Sequence, residues 1–173
     1  MEALFNPAPI VTQKGRELFV RQFGWKDFEP LVRMYKSFEP KRVAQGLPPP
    51  DVPRIAHWLS SLSHKSQSLL ATREQDVVGH TILVPISRSS VEFTIFVHQD
   101  YREEGLGTVL SRHALAWASE IGFEFAYLTT EMSNFRALRL FRKLGFQTTS
   151  GFGDELEMKL RLAASTVDHL HAA

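Results

Sequence analysis

Residues Arg102-Glu103-Glu104-Gly105-Leu106-Gly107 join two segments of opposite periodicity, and that junction constrains the chain more than any other stretch. Before it, Val91-Glu92-Phe93-Thr94-Ile95-Phe96-Val97 has the β-branched and aromatic make-up of a strand. After it, Leu106, Val109, Leu110, Ala114, Trp117, Ala118 and Ile121 recur at helical spacing, which predicts a helix from about Gly105 to Ile121. A glycine-bearing turn that opens a helix presents unpaired N–H groups and the positive end of the helix dipole, an arrangement suited to phosphate or pyrophosphate. Glycine allows that approach because a Cβ would stand in the way. The turn is not the dinucleotide fingerprint, since Leu110 occupies the third glycine position, and no Gly-Lys-Ser/Thr follows to make a P-loop. The same residues also suit a plain helix start without a ligand.

Residues 1–15 contain Pro7, Pro9 and Gly15 without periodicity and read as a flexible N-terminal arm, with 16–162 as one domain and 163–173 as a C-terminal tail. A strand is expected over Glu17–Phe23 and a helix over Trp25–Phe38, with Pro30 in its first turn. Glu39–Pro50 reads as a proline-rich loop, and Asp51 as the cap of a helix over Val52–Leu62. Strands are expected at Ser68–Thr72, Val77–Ile86, Glu124–Thr129, Phe146–Thr149 and Glu155–Arg161, and a further helix at Asn134–Leu144. This order implies an α/β (α+β) fold: a mixed sheet with helices on both faces.

Composition removes several function classes. The chain has 173 residues, 43% of them hydrophobic, enough for a real core, and a net charge of +1 that does not call for nucleic acid. With no cysteine, disulfides, thiolate catalysis and cysteine-based zinc sites are excluded. The seven histidines show no metal-ligand spacing, so no metal is expected. No apolar run approaches the roughly 18 residues of a membrane span, and the first residues do not look like a secretory signal, so a cytoplasmic protein without a membrane partner is expected.

The segment from about Val91 to Phe146 resembles the GCN5-related N-acetyltransferase (GNAT) superfamily. The strand ending at Val97, the turn Arg102–Gly107, the strand Phe125-Ala126-Tyr127-Leu128-Thr129, Asn134 and Leu144-Gly145-Phe146 carry the likeness. Glu92-Phe93-x-x-x-Val97 followed by Tyr101-Arg102-x-x-Gly105-Leu106-Gly107 is similar to the acetyltransferase domain of bacterial protein-lysine acetyltransferases. The resemblance implies a mixed, mostly antiparallel sheet splayed at its centre. It implies acetyl-CoA as cosubstrate and a primary amine as acceptor, either a protein lysine or a small molecule. A homodimer through an exposed strand edge is left open.

An amine of lysine type has a pKa of about 10.4 and needs a base before it attacks. Glu92, flanked in sequence by Val91 and Phe93, is the candidate, since apolar surroundings raise a carboxylate's pKa; the alternative is a solvated strand glutamate. The resemblance puts oxyanion donors on the backbone of Ile95, Phe96 and Val97, freed by a β-bulge. It puts the pyrophosphate on the backbone of Arg102, Glu103, Glu104, Gly105, Leu106, Gly107 and Thr108, with the Arg102 side chain adding charge. Glu103 and Glu104 replace the glycine and basic residue common there, and near a helix start they complement the dipole. Asn134 matches the residue that bonds the pantetheine arm, and equally suits a helix N-cap. Phe141 stands where many relatives have a tyrosine acid, and reads as core beside Leu138 and Leu144. Arg136, Arg139 and Arg142 face either a ribose phosphate or solvent. The proline-rich loop and second helix would shape the acceptor side. A second function is consistent with the same residues: a non-catalytic acyl-CoA-binding sensor or scaffold.

Overall fold

The computed structural model describes residues 4–40 and 48–163. Its sheet is built from β1 (Ala8–Val11), β2 (Glu17–Gln22), β3 (Gln67–Arg73), β4 (Asp76–Pro85), β5 (Ser90–Val97), β6 (Phe125–Glu131), β7 (Gln147–Phe152) and β8 (Glu155–Arg161). Four helices accompany them: α1 (Phe28–Ser37), α2 (Val52–Ser63), α3 (Leu106–Glu120) and α4 (Phe135–Leu144). The strands lie in the order β1-β2-β3-β4-β5-β6-β8-β7. Every neighbouring pair is antiparallel except β5 and β6.

Successive side chains of a strand point to opposite faces, so one strand feeds two cores. On one face Val91 and Phe93 of β5 pack with Leu110 and Trp117 of α3 and Phe141 of α4. On the other, Phe96 packs with Leu31 and Tyr35 of α1 and Ile55 and Leu59 of α2. The mixed sheet with helices on both faces thus forms as the sequence implied.

Local signals place most ends. Asp51 caps α2 by accepting from the Arg54 N–H at 3.0 Å, and Pro53 sits in the first turn. Gly145, at φ +97°, ends α4 in the left-handed conformation that glycine adopts without strain. Pro30 lies in the first turn of α1 as expected, but the helix starts at Phe28 because Trp25–Asp27 form a separate 3-10 turn.

The reading of residues 1–15 as a flexible arm needs correction, because Ala8–Val11 form an edge strand paired antiparallel with Glu17–Val20. Pro9 is tolerated there because an edge strand has an unpaired side on which no N–H is needed. Both closing strands are present, with β7 running on to Phe152 rather than stopping at Thr149. Of the expected proline-rich loop, residues 41–47 lie outside the described residues, as do 164–173 of the expected tail. Among the described residues no helix is long and apolar enough to cross a membrane.

Candidate functional site

The sheet opens beside β5. Strands β5 and β6 pair only over Ser90–Glu92 and Phe125–Tyr127; beyond that point β6 pairs with β8 alone, to Glu131. The alternation of an antiparallel ladder tells which β5 groups face the opening. The His98 N–H donates to Val78 O at 2.9 Å and the Ile86 N–H to Ser90 O at 3.0 Å, which puts the even-numbered residues of β5 in the ladder with β4. The N–H groups of Ile95 and Val97 therefore turn into the opening, and that of Phe96 is used by β4. The expected bulge is absent: the β4–β5 register runs unbroken from Gly79↔Val97 to Pro85↔Val91. Divergence of β6, rather than a bulge, frees the donors.

The glycine turn stands at the mouth of this opening. Glu103 (φ +60°) and Gly105 (φ +80°) are both left-handed, which swings the chain sharply from the 3-10 turn Gln99–Tyr101 into α3. The N-cap Gly105 has no side chain to cap α3, so among the described residues its first-turn N–H groups, on Leu106, Gly107 and Thr108, receive no bond from the capping residue. A Cβ on Gly107 would meet Leu140 Cδ2 at 3.4 Å, ordinary contact, so packing within the chain does not demand a glycine there. Leu106 is buried and anchors the turn in the core.

The side chains of the turn do not point where the sequence implied. Arg102 donates from Nε to Val97 O at 2.9 Å and from Nη2 to Glu39 O, and its guanidinium lies 4.9 Å from the Phe38 ring centre. It holds the turn to β5 and to the end of α1. Burial, and then the neighbouring Arg136 charge, lower its pKa. Glu103 is exposed and pairs with Arg136 at 3.3 Å. Glu104 is 0% exposed and faces the β1–β2 turn, where Thr12 Oγ1 donates to its Oε2 at 2.9 Å. Only Glu103 of this pair lies at the surface near the helix start.

Glu92 is exposed on β5. Val91 and Phe93 do not surround it, because they point into the core on the opposite face. Asn134 caps α4, its Oδ1 accepting from the Ala137 N–H at 3.2 Å, which leaves its Nδ2 donors for another partner. Phe141 is core as read, against Phe93 and Phe146. Arg139 and Arg142 are exposed. Among the described residues no group of three or more His, Asp or Glu gathers as a metal site.

Two arrangements had no signal in the sequence. Tyr35 Oη and His80 Nδ1 lie 2.6 Å apart in the α1–α2 core, and burial pushes the imidazole pKa down to about 3 and the phenol well above 10.0. Gln99 bridges Ser37 and Glu39, donating to Ser37 O at 2.7 Å and accepting from the Glu39 N–H at 3.0 Å. Residues 45 to 62 positions apart show no common spacing in the sequence.

A sheet split beside an uncapped helix start defines the class of protein, and comparison with known proteins names the family. The family model described as Acetyltransferase (GNAT) family matches residues 28–146, and the chain belongs to that family. The chain is 32% identical over 117 residues to N-acetyltransferase family 8 member 3 of Rattus norvegicus, covering 64% of this chain and 50% of the relative. It thus spans about half the length of the curated relative it matches. The crystal structure of the GNAT domain of S. lividans PAT superposes with a TM-score of 0.74 at 17% identity, covering 90% of this chain and 97% of that one. The structure of yncA from Salmonella typhimurium, a putative acetyltransferase with its cofactor acetyl-CoA, superposes with a TM-score of 0.65 at 20% identity, over 86% of this chain and 96% of that one.

Proposed function

We propose that this chain is an acetyl-CoA-dependent N-acetyltransferase that acetylates a primary amine by direct attack. The observation that carries the reading is the uncapped start of α3 beside an open strand edge. Together they offer first-turn donors for a pyrophosphate and β5 donors for a thioester carbonyl. Pyrophosphate lies on the N–H groups around Gly105–Thr108, and the pantetheine arm runs into the opening past the Asn134 Nδ2. The amine nitrogen attacks the thioester carbon, a C–N bond forms, the C–S bond breaks, and the electron pair leaves on sulfur. The N–H groups of Ile95 and Val97 meet the developing oxyanion. Glu92 accepts the amine proton, directly or through a water, an exposed carboxylate being accessible to both. With Phe141 in the core, no phenol stands there to protonate the thiolate; a thiol of pKa about 8.5 leaves without one.

The acceptor is a protein lysine or a small amine. A surface depression of about 680 Å³ beyond the end of β6 is lined by Glu131, Met132, Ser133, Phe152, Asp154 and Glu155. The buried Phe141 also favours a second reading, a non-catalytic acyl-CoA-binding module. Calorimetric titration with acetyl-CoA, followed by thiol release over a panel of peptide lysines and polyamines, tests both. Binding with turnover supports the transferase, binding without turnover the module, and no binding at millimolar acetyl-CoA overturns both.

A further inference from the structure

The turn between β1 and β2 is spent almost entirely on the glycine turn. Thr12 Oγ1 donates to Glu104 Oε2 at 2.9 Å, and the Gln13 N–H donates to Glu104 O at 2.8 Å. Lys14 Nζ and Arg16 Nη2 approach Glu104 Oε1 at 3.5 and 3.4 Å. Arg16 also donates to Asp100 O at 3.0 Å and stacks on Tyr101, its guanidinium carbon 4.6 Å from the ring centre. The Gln13 side chain lies where a Cβ on Gly105 would come within 3.1 Å. Each contact falls between Asp100 and Gly105, the stretch that carries the left-handed Glu103 and Gly105. A left-handed non-glycine residue persists only where its surroundings over-determine it. A carboxylate buried this deeply is costly unless paired and hydrogen-bonded. Here Thr12 supplies the hydrogen bond to Oε2, and Lys14 and Arg16 the opposite charge beside Oε1, which accepts no hydrogen bond among the described residues.

We infer that Glu104 is a positioning residue, and that with Thr12, Lys14 and Arg16 it forms a brace holding the turn so that the first N–H groups of α3 converge on the cofactor's pyrophosphate. The inference rests on the transferase or acyl-CoA-binding reading above. It also explains why an acidic residue sits in a phosphate-binding turn: the carboxylate faces away from the ligand and into the fold. Simple electrostatics gives the opposite sign. If Glu104 acted only as a negative charge near the pyrophosphate, Glu104→Gln would tighten binding. As a brace, its loss loosens the turn and weakens binding.

The test compares Glu104→Gln with the unaltered chain, using acetyl-CoA and acetyl-pantetheine, which lacks the pyrophosphate. Calorimetry reads the first and NMR titration at millimolar ligand the second. The expected result is at least tenfold weaker acetyl-CoA binding with acetyl-pantetheine binding within twofold. Amide exchange over residues 100–108 should be faster, with the core of α3 unchanged. Tighter or unchanged acetyl-CoA binding, or equal weakening of both ligands, overturns the brace. Thr12→Val, expected to weaken acetyl-CoA binding, and Thr12→Ser, expected to preserve it, carry the same test should Glu104→Gln fail to fold. A folded, unaltered chain that ignores acetyl-CoA overturns the functional reading instead, and amide exchange then still reports on the brace.

Discussion

Arg102 donates from Nε to the carbonyl oxygen of Val97 at 2.9 Å, tying the end of β5 to the turn that follows it. That carbonyl belongs to the side of β5 left open by the divergence of β6, and Arg102 supplies the bond a neighbouring strand would have made. Its Nη2 donates to Glu39 O. The arginine thus acts on the fold of the mouth.

Arg102→Lys should therefore not be conservative, because one ammonium cannot reproduce a forked guanidinium bound at two carbonyls. We expect a loss of about 1–2 kcal/mol in stability, on the scale of hydrogen bonds to charged groups in part-exposed positions. Acetyl-CoA binding should weaken about tenfold, as a shift of roughly 1.4 kcal/mol would produce. Thermal unfolding and calorimetry on the same variant check both.

Glu92→Gln should separate binding from chemistry. The side chain is exposed, so stability should stay within roughly 0.5 kcal/mol. Loss of a general base should lower turnover on the order of 10²–10⁴-fold. Unchanged turnover in a thiol-release assay with a productive acceptor would remove Glu92 from the mechanism.

Gly79→Ala should destabilise the layer between α3 and the sheet. A Cβ there would meet Leu110 Cδ2 at 2.9 Å and Ala71 Cβ at 3.3 Å, all in the buried core. Overpacking of this kind costs about 1–3 kcal/mol. Urea denaturation should show the midpoint falling with the slope unchanged.

Acid should expose the His80–Tyr35 pair. Burial lowers the folded pKa of His80 from 6.5 to about 3, so the unfolded chain binds this proton more readily between those values. Stability is then full above pH 6.5 and falls as pH drops towards 3, by up to about 1.4 kcal/mol per pH unit. Asp27 adds a dependence of the same sign at lower pH. Burial raises its carboxyl pKa, but the Arg21 hydrogen bonds, the Gly24 N–H and nearby cations outweigh this and hold it below 3.8. His80→Gln keeps an acceptor for Tyr35 without titrating. Denaturant unfolding of this variant from pH 4 to 7 should show a shallower acid limb; an unaltered limb would refute the assignment to His80.

The sequence made most of the fold legible because strand and helix periods are local properties. The helix over Leu106–Glu120 and the cap at Asp51 were each readable from a few neighbouring residues. Strand β1 was not, because Pro7 and Pro9 interrupt any alternation, and its place depends on pairing with β2. In the site, the glycine turn was legible and its side-chain directions were not. Glu103 and Glu104 read alike in sequence, yet the left-handed backbone at Glu103 leaves one at the surface and the other wholly buried.

By itself, the sequence determined the elements, their order and the glycine turn at the head of α3, because propensity, capping and steric limits act over a few residues. Only the tertiary structure decided where the sheet opens, that Arg102 bonds Val97 and Glu39, that Thr12 meets Glu104 across 92 positions and that Tyr35 meets His80 across 45. Those contacts form only once the strands have taken their order, because burial leaves a polar group no partners but those the sheet has brought beside it.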